Sequence, residues 1–145
     1  MTNELEPEAI LNLHSVLRRS RANGPGVRFV VWFQGCIRNC PGCFNPETHT
    51  HAPHVCISID DICNQILAES ASIEGVTISG GEPLEQPDGL VELVCAIRRV
   101  SDMSILLFSG YTLAEIRKMP CGATVLENVD VLVGGAYNRS QHQGL

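Results

Sequence analysis

A strand that runs straight into three closely spaced cysteines constrains this chain more than any other feature. Val27-Arg28-Phe29-Val30-Val31-Trp32-Phe33-Gln34 is β-branched, aromatic and almost continuously apolar, the pattern of a strand buried on both faces of a parallel sheet. Gly35 follows, and Cys36-Ile37-Arg38-Asn39-Cys40-Pro41-Gly42-Cys43 sets three thiols in a C-x3-C-x2-C spacing. In parallel α/β architectures the chemistry lies at the C-terminal ends of the strands. The cysteines therefore begin where a site belongs.

The rest of the chain supplies the remaining parts of such a sheet. Ile10 to Leu17 reads as a strand by its partial alternation, and the Arg18 to Gly26 stretch is a turn-rich connection. A long polar loop spans Gly35 to about Val55. Ser58 is a good N-cap for a helix that carries Ile59, Ile62, Cys63, Ile66 and Leu67 on one stripe. Gly75–Ser79 is a second parallel strand, Leu90 to Val100 a second helix and Ser104–Phe108 a third strand. Leu113 to Met119 is a short helix ended by Pro120, and Val129–Val133 is a fourth strand. Strands alternating with helices imply right-handed βαβ units. Four parallel strands do not close an eight-stranded barrel, so the expected fold is α/β, a partial open (β/α) barrel of parallel strands. The 145 residues are expected to form one domain, 1–145, with 1–8 as a disordered tail.

Composition narrows the function. Charged residues are 18 % and hydrophobic residues 44 % of the chain, enough for a packed core. A formal net charge of −6 argues against direct nucleic-acid binding, which needs clustered Lys and Arg. No apolar run has the length of a membrane span, and the acidic N-terminus lacks the order of a secretory signal, so the expected location is cytoplasmic. Seven cysteines in a reducing compartment then point to metal or catalysis rather than disulfides.

Thiolate ligation selects zinc or iron–sulfur. Three readings of Cys36, Cys40 and Cys43 are open on spacing alone: incidental thiols, a zinc knuckle completed by His49, His51 or His54, and an iron–sulfur cluster whose local ligand set stops at three. An incomplete set leaves one iron with an open position. Pro41 and Gly42 favour a tight turn whose amides face the thiolates. Ser79-Gly80-Gly81-Glu82-Pro83 follows the second strand; its glycines permit close backbone approach, its carbonyls can accept from an ammonium group, and Glu82 adds an acceptor charge.

Other polar residues have plainer readings. Cys63 and Cys95 fall on apolar helix faces as core thiols, while Cys56 and Cys121 lie near turns and are ambiguous. Arg28 is expected at the surface or facing a carboxylate in the barrel, Trp32 in the core, and Arg98-Arg99 at a solvated helix end.

These motifs together resemble the radical S-adenosylmethionine enzymes, and within them the activating proteins of anaerobic ribonucleoside-triphosphate reductase, relatives of pyruvate formate-lyase activase. The matching segments are Asn23-Gly24-Pro25-Gly26-Val27-Arg28, Phe33 through Thr48, Ser79 through Leu84, Ser109-Gly110-Tyr111 and Asp130 through Val133, in the family's order. The resemblance implies a radical S-adenosylmethionine oxidoreductase with a [4Fe-4S] cluster on Cys36, Cys40 and Cys43. It implies that the fourth iron chelates S-adenosylmethionine, with Gly80, Gly81 and Glu82 along the methionine end and Gly42, Cys43 and Phe44 near the adenosine. It implies no further catalytic side chain, because cluster and S-adenosylmethionine carry the chemistry. The 5′-deoxyadenosyl radical so made would install a glycyl radical on the large subunit of the reductase, with a flavodoxin- or ferredoxin-type electron donor. The sequence also leaves open a small-molecule substrate, as in carboxy-deazaguanine synthases, and a non-enzymatic zinc or iron–sulfur module.

The chain departs from the family at two places. Gly134-Gly135 stand where the family has Asp-Gly, and the family's closing Arg-Gly-Ser-Ser-Asn-Gln segment does not occur before Leu145. The expectation is a partial barrel lacking its last elements, or a sequence that stops short of them.

Overall fold

The computed structural model describes residues 10–35 and 54–135. Cys36, Cys40, Gly42, Cys43 and Phe44, with His49 and His51 and the tail 1–8, lie outside the described residues.

Six strands form one sheet. They are β1 (Ile10–Ser20), β2 (Arg28–Phe33), β3 (Val55–Ser58), β4 (Gly75–Gly80), β5 (Ser104–Phe108) and β6 (Val131–Val133). The order across the sheet is β3-β1-β2-β4-β5-β6. The run β2-β4-β5-β6 is parallel, as the alternation with helices requires. Strands β1 and β3 add an antiparallel wing to the β2 side.

The four parallel strands and the first strand are those expected; the wing adds β3 and a longer β1. Strand β1 runs on to Ser20, three residues past Leu17. The four-residue β3 is half exposed and was expected to be the end of a loop. It is a strand because it pairs with β1, from Ile10↔Ser58 to Leu13↔Val55, a partnership that its own residues do not announce.

Helices α1 (Ile59–Ala68) and α2 (Pro87–Val100) pack on one face of the sheet, and α3 (Leu113–Arg117) and α4 (Gly122–Asn128) lead from β5 to β6. Helix α1 begins where expected: the Ser58 hydroxyl accepts from the Asp61 N–H at 3.1 Å, and Asp60 and Asp61 sit in the first turn. Helix α2 starts earlier than its apolar stripe, with Pro87 in the first turn where a missing N–H costs nothing. Helix α3 carries a reciprocal capping box between Thr112 and Glu115. Helix α4 was not expected: it opens on Gly122 and has no side-chain cap.

The core lies between sheet and helices. Phe29, Val31, Phe33, Val76, Ile78, Ile105 and Leu107 alternate inward from the strands and meet Ile62, Ile66, Leu90, Leu93 and Ile97. Burying each such side chain contributes about 1.5–3 kcal/mol before chain entropy is counted. The opposite residues of the same strands, Arg28, Val30, Trp32, Thr77, Leu106 and Phe108, line the other face. Trp32 is therefore half-buried on that second face rather than in the core between sheet and helices.

Candidate cluster and cofactor site

The cysteine-bearing segment leaves the sheet at Gly35, and that exit is held in place by the turn after β4. The Gly81 N–H donates to the Phe33 carbonyl at 2.9 Å, and the Glu82 N–H donates to the Gly35 carbonyl at 2.8 Å. Gly80 makes this possible. Its φ is +115°, and a Cβ there would collide with the backbone N and O of Phe33. The first glycine of the Gly-Gly pair thus serves the junction of two strand ends.

Glu82 is 1 % exposed and extends the junction toward β5. Its Oε1 accepts from the Gly110 N–H at 2.6 Å, and its Oε2 accepts from the Ser109 hydroxyl at 2.8 Å and the Leu84 N–H at 3.1 Å. The Ser109 hydroxyl in turn accepts from the Tyr111 N–H at 3.0 Å, and the Tyr111 carbonyl accepts from the Gly135 N–H at 2.9 Å. A continuous belt of hydrogen bonds therefore runs across the C-terminal ends of β2, β4, β5 and β6. Glu82 was expected to offer its charge to a ligand ammonium; the structure turns its carboxylate onto the chain's own donors. The sequence singled out Ser109-Gly110-Tyr111 only as a motif, and the role of Ser109 and Gly110 as partners of Glu82 was not legible in it.

A second junction ties the antiparallel wing to the same rim. The Gln34 N–H donates to the Asn12 carbonyl at 2.9 Å. The Gln86 amide donates to the carbonyls of Asn12 and Gln34, at 2.7 and 3.1 Å, and accepts from the Asn12 N–H at 2.9 Å. Partners 52 and 74 residues apart carry no local signal.

Arg28 sits at the other end of β2 and corrects both expectations for it. It is 2 % exposed, and among the described residues it pairs with no carboxylate at contact distance. Its guanidinium donates to the Thr77 hydroxyl (2.8 Å), the Ser104 hydroxyl (2.9 Å), and the carbonyls of Ser104 (2.9 Å), Val76 (3.0 Å) and Pro25 (3.2 Å). Burial pushes its pKa down from the ordinary arginine value, against the upward pull of Glu74 and Asp130. Of the Arg98-Arg99 pair in the last turn of α2, Arg99 is exposed as expected, whereas Arg98 bonds the Met103 and Asn128 carbonyls and pairs with Asp130 at 2.8 Å.

The remaining thiols do not gather into a second site. Burial, with some help from Asp60, pushes the Cys63 thiol up. Among the described residues, no three His, Cys, Asp or Glu side chains form a ready metal cage. The C-x3-C-x2-C segment, whose thiol donors suit an iron–sulfur group, follows Gly35 in the sequence and lies outside the described residues. A groove of about 840 Å³ lined by Leu84, Val91, Met119 and Cys121 lies on the helical side of the sheet, where α2 meets the α3–α4 corner.

The described fold is a mixed α/β sheet whose four parallel strands are stitched together at their C-terminal rim, and the sequence carries three clustered cysteines directly after its second strand. The profile of the 4Fe-4S single cluster domain family matches residues 22–144. The chain belongs to that family, and it shares nearly full-length similarity with activating proteins of anaerobic ribonucleoside-triphosphate reductase. The one from Vibrio cholerae is 30 % identical over 141 residues, covering 90 % of this chain and 87 % of its own. The one from Escherichia coli is 28 % identical over 134 residues, covering 88 % and 85 %. A pyruvate formate-lyase-activating enzyme from Listeria monocytogenes is 39 % identical over 89 residues, which is 59 % of this chain and 36 % of that enzyme. The chain thus spans about a third of the length of that relative. The crystal structure of QueE from Escherichia coli superposes with a TM-score of 0.61 at 16 % identity, over 94 % of this chain and 64 % of that one. This likeness shows the fold.

Proposed function

We propose that this protein is a radical S-adenosylmethionine activase for a glycyl-radical enzyme, the large subunit of an anaerobic ribonucleotide reductase. Cys36, Cys40 and Cys43 hold a [4Fe-4S] cluster, and the three-ligand set leaves one iron for S-adenosylmethionine. When bound and reduced, this pair supplies cleavage of the S–C5′ bond to methionine and a 5′-deoxyadenosyl radical. The chain's part is binding and orientation. Gly80, Gly81 and Glu82 lie along the methionine end, where the turn offers backbone carbonyls and Glu82 fixes the turn from within. Gly42, Cys43 and Phe44 lie near the adenosine. The electron comes from a flavodoxin- or ferredoxin-type donor, and the protein works in the cytoplasm. No helix among the described residues is long and apolar enough to cross a membrane.

The observation that carries this reading is the bonded junction of Gly35 with Glu82, because it joins the exit of the cysteine segment to the Gly-Gly turn. The relatives that match nearly end to end supply the partner. The likeness to QueE, at 16 % identity, carries no substrate.

The test is anaerobic reconstitution with iron and sulfide, reduction, and addition of S-adenosylmethionine. We expect 5′-deoxyadenosine, and a glycyl-radical doublet in the paramagnetic resonance spectrum when the reductase is added. Absence of 5′-deoxyadenosine sinks the activity. Its presence without the doublet sinks the partner alone.

A further inference from the structure

Two imidazoles meet on the antiparallel wing, and the described function uses neither. His14 and His54 stack with ring centroids 5.3 Å apart and planes inclined by 12°. The sequence separates them by 40 positions and grouped His54 only with His49 and His51.

Their meeting follows from the register. Leu13 pairs with Val55, so the next step outward sets His14 across from His54. His14 is also the extra residue of an irregularity in the β1–β2 ladder, between Leu13↔Phe33 and Ser15↔Trp32. Leu11, Leu13 and Ile57 pack into the core, so the alternate residues Asn12 and Cys56, which pair directly, point to the opposite face. His54 lies two residues from Cys56, on that same face. The Asn12 side chain joins the group by accepting from the His54 N–H at 2.8 Å. Cys56 is exposed and free.

We propose that His14 and His54 form a chelating site for a borderline divalent cation of the zinc type, with Cys56 beside it. Two imidazoles bound to one ion at metal–nitrogen distances of about 2.0–2.1 Å keep their centroids within roughly 6 Å. The observed 5.3 Å meets that limit without backbone movement. The rings lie nearly parallel, so binding one ion requires their side-chain torsions to turn a nitrogen of each ring toward a common point. The donors are two imidazole nitrogens, which select zinc, nickel or copper and disfavour magnesium and calcium. Solvent fills the coordination positions that the two rings leave.

The placement gives the ion a consequence. His54 is where the chain returns to the described sheet after the cysteine-bearing segment, and Gly35 is where it leaves. Glu82 fastens the Gly35 end through a backbone hydrogen bond. An ion shared by His14 and His54 fastens the other end to β1. The site itself needs only the folded chain and stands apart from the proposed activity.

The experiment is calorimetric titration of Zn²⁺ into the cluster-loaded full chain under anaerobic conditions, with the visible absorbance of the cluster followed in parallel. We expect one equivalent of zinc to bind with the absorbance unchanged. His14→Ala and His54→Ala should each weaken binding by roughly a hundredfold, because either removes the chelate effect of the pair. His54 is exposed, so His54→Ala leaves the fold intact even where the half-buried His14 is less tolerant. Cys56→Ser should weaken binding less than either. Wild-type binding retained in His54→Ala overturns the proposal. So does zinc uptake that bleaches the cluster in proportion, which assigns the ion to the cysteine segment. Absence of zinc binding reduces the pair to a stacking contact. The yield of 5′-deoxyadenosine is read separately, so failure here and failure of the proposed activity are distinguishable.

Discussion

The two ends of the parallel sheet are built from opposite materials. At the N-terminal end, one long buried cation fills the space between β2, β4 and β5, and all its partners are neutral oxygens of the chain. At the C-terminal end, short polar side chains and backbone amides stitch the strand ends together, and the chain departs into the cysteine segment. The first end closes on itself. The second is held together across four strand ends. Stability and chemistry are thereby divided along a single strand only six residues long, from Arg28 to Phe33.

Substitutions can test that division. The largest effect is expected at the C-terminal end of the sheet: Cys40→Ala should abolish 5′-deoxyadenosine formation while leaving the denaturation midpoint of the apoprotein unchanged. A clear fall in that midpoint would show that the cysteine segment also supports the fold. Arg28→Met should do the reverse. It removes the donor to the hydroxyl and carbonyl of Ser104 and to the Val76 carbonyl, each loss costing about 1–3 kcal/mol, for a total of at least about 3 kcal/mol in chemical denaturation. Turnover per intact cluster in the surviving folded protein should match wild type.

Glu82→Gln sharpens the comparison from the rim. It replaces one carboxylate oxygen with an amide donor facing the Leu84 N–H and the Ser109 hydroxyl. A loss of about 1–3 kcal/mol is expected, together with a raised KM for S-adenosylmethionine. Unchanged KM would detach the belt from the cofactor site. The smallest effect is at Asp130. Burial pushes its carboxyl up, but the Ile105 N–H and Arg98 outweigh that and hold it below the usual range. A depressed carboxylate stabilises the fold above its unfolded-state pKa and loses that contribution as pH falls through its folded value. The wild-type advantage over Asp130→Asn should therefore be full at neutral pH, amount to about 1 kcal/mol or less for so exposed a group, and fade only below about pH 4. Stability curves of the two proteins against pH would check it.

The same division explains what could be read in advance. Strands β2, β4 and β5 were legible because both their faces are covered, which writes a continuous apolar run into the sequence. The cysteine spacing and the Gly-Gly turn were legible because both are local. Arg28 was not, since its partners Thr77 and Ser104 stand 49 and 76 residues away, and a charged residue among valines has no pattern of its own. Strand β3 was missed because its sheet partner among the described residues is β1, more than 40 residues earlier. Helix α4 was missed because it begins with a glycine and lacks a cap. Glu82 was recognised as important, but its partners were not: the sequence shows a charge at a turn and not that Ser109 and Gly110 fold back to meet it.

The most direct test of the central claim is Mössbauer spectroscopy of ⁵⁷Fe-loaded protein before and after S-adenosylmethionine is added. The account predicts that one iron of the four changes its isomer shift while three stay fixed, because three cysteines hold the cluster and one corner is left for the cofactor. Four irons unmoved by S-adenosylmethionine would mean that a side chain of the protein already fills that corner, and would contradict it.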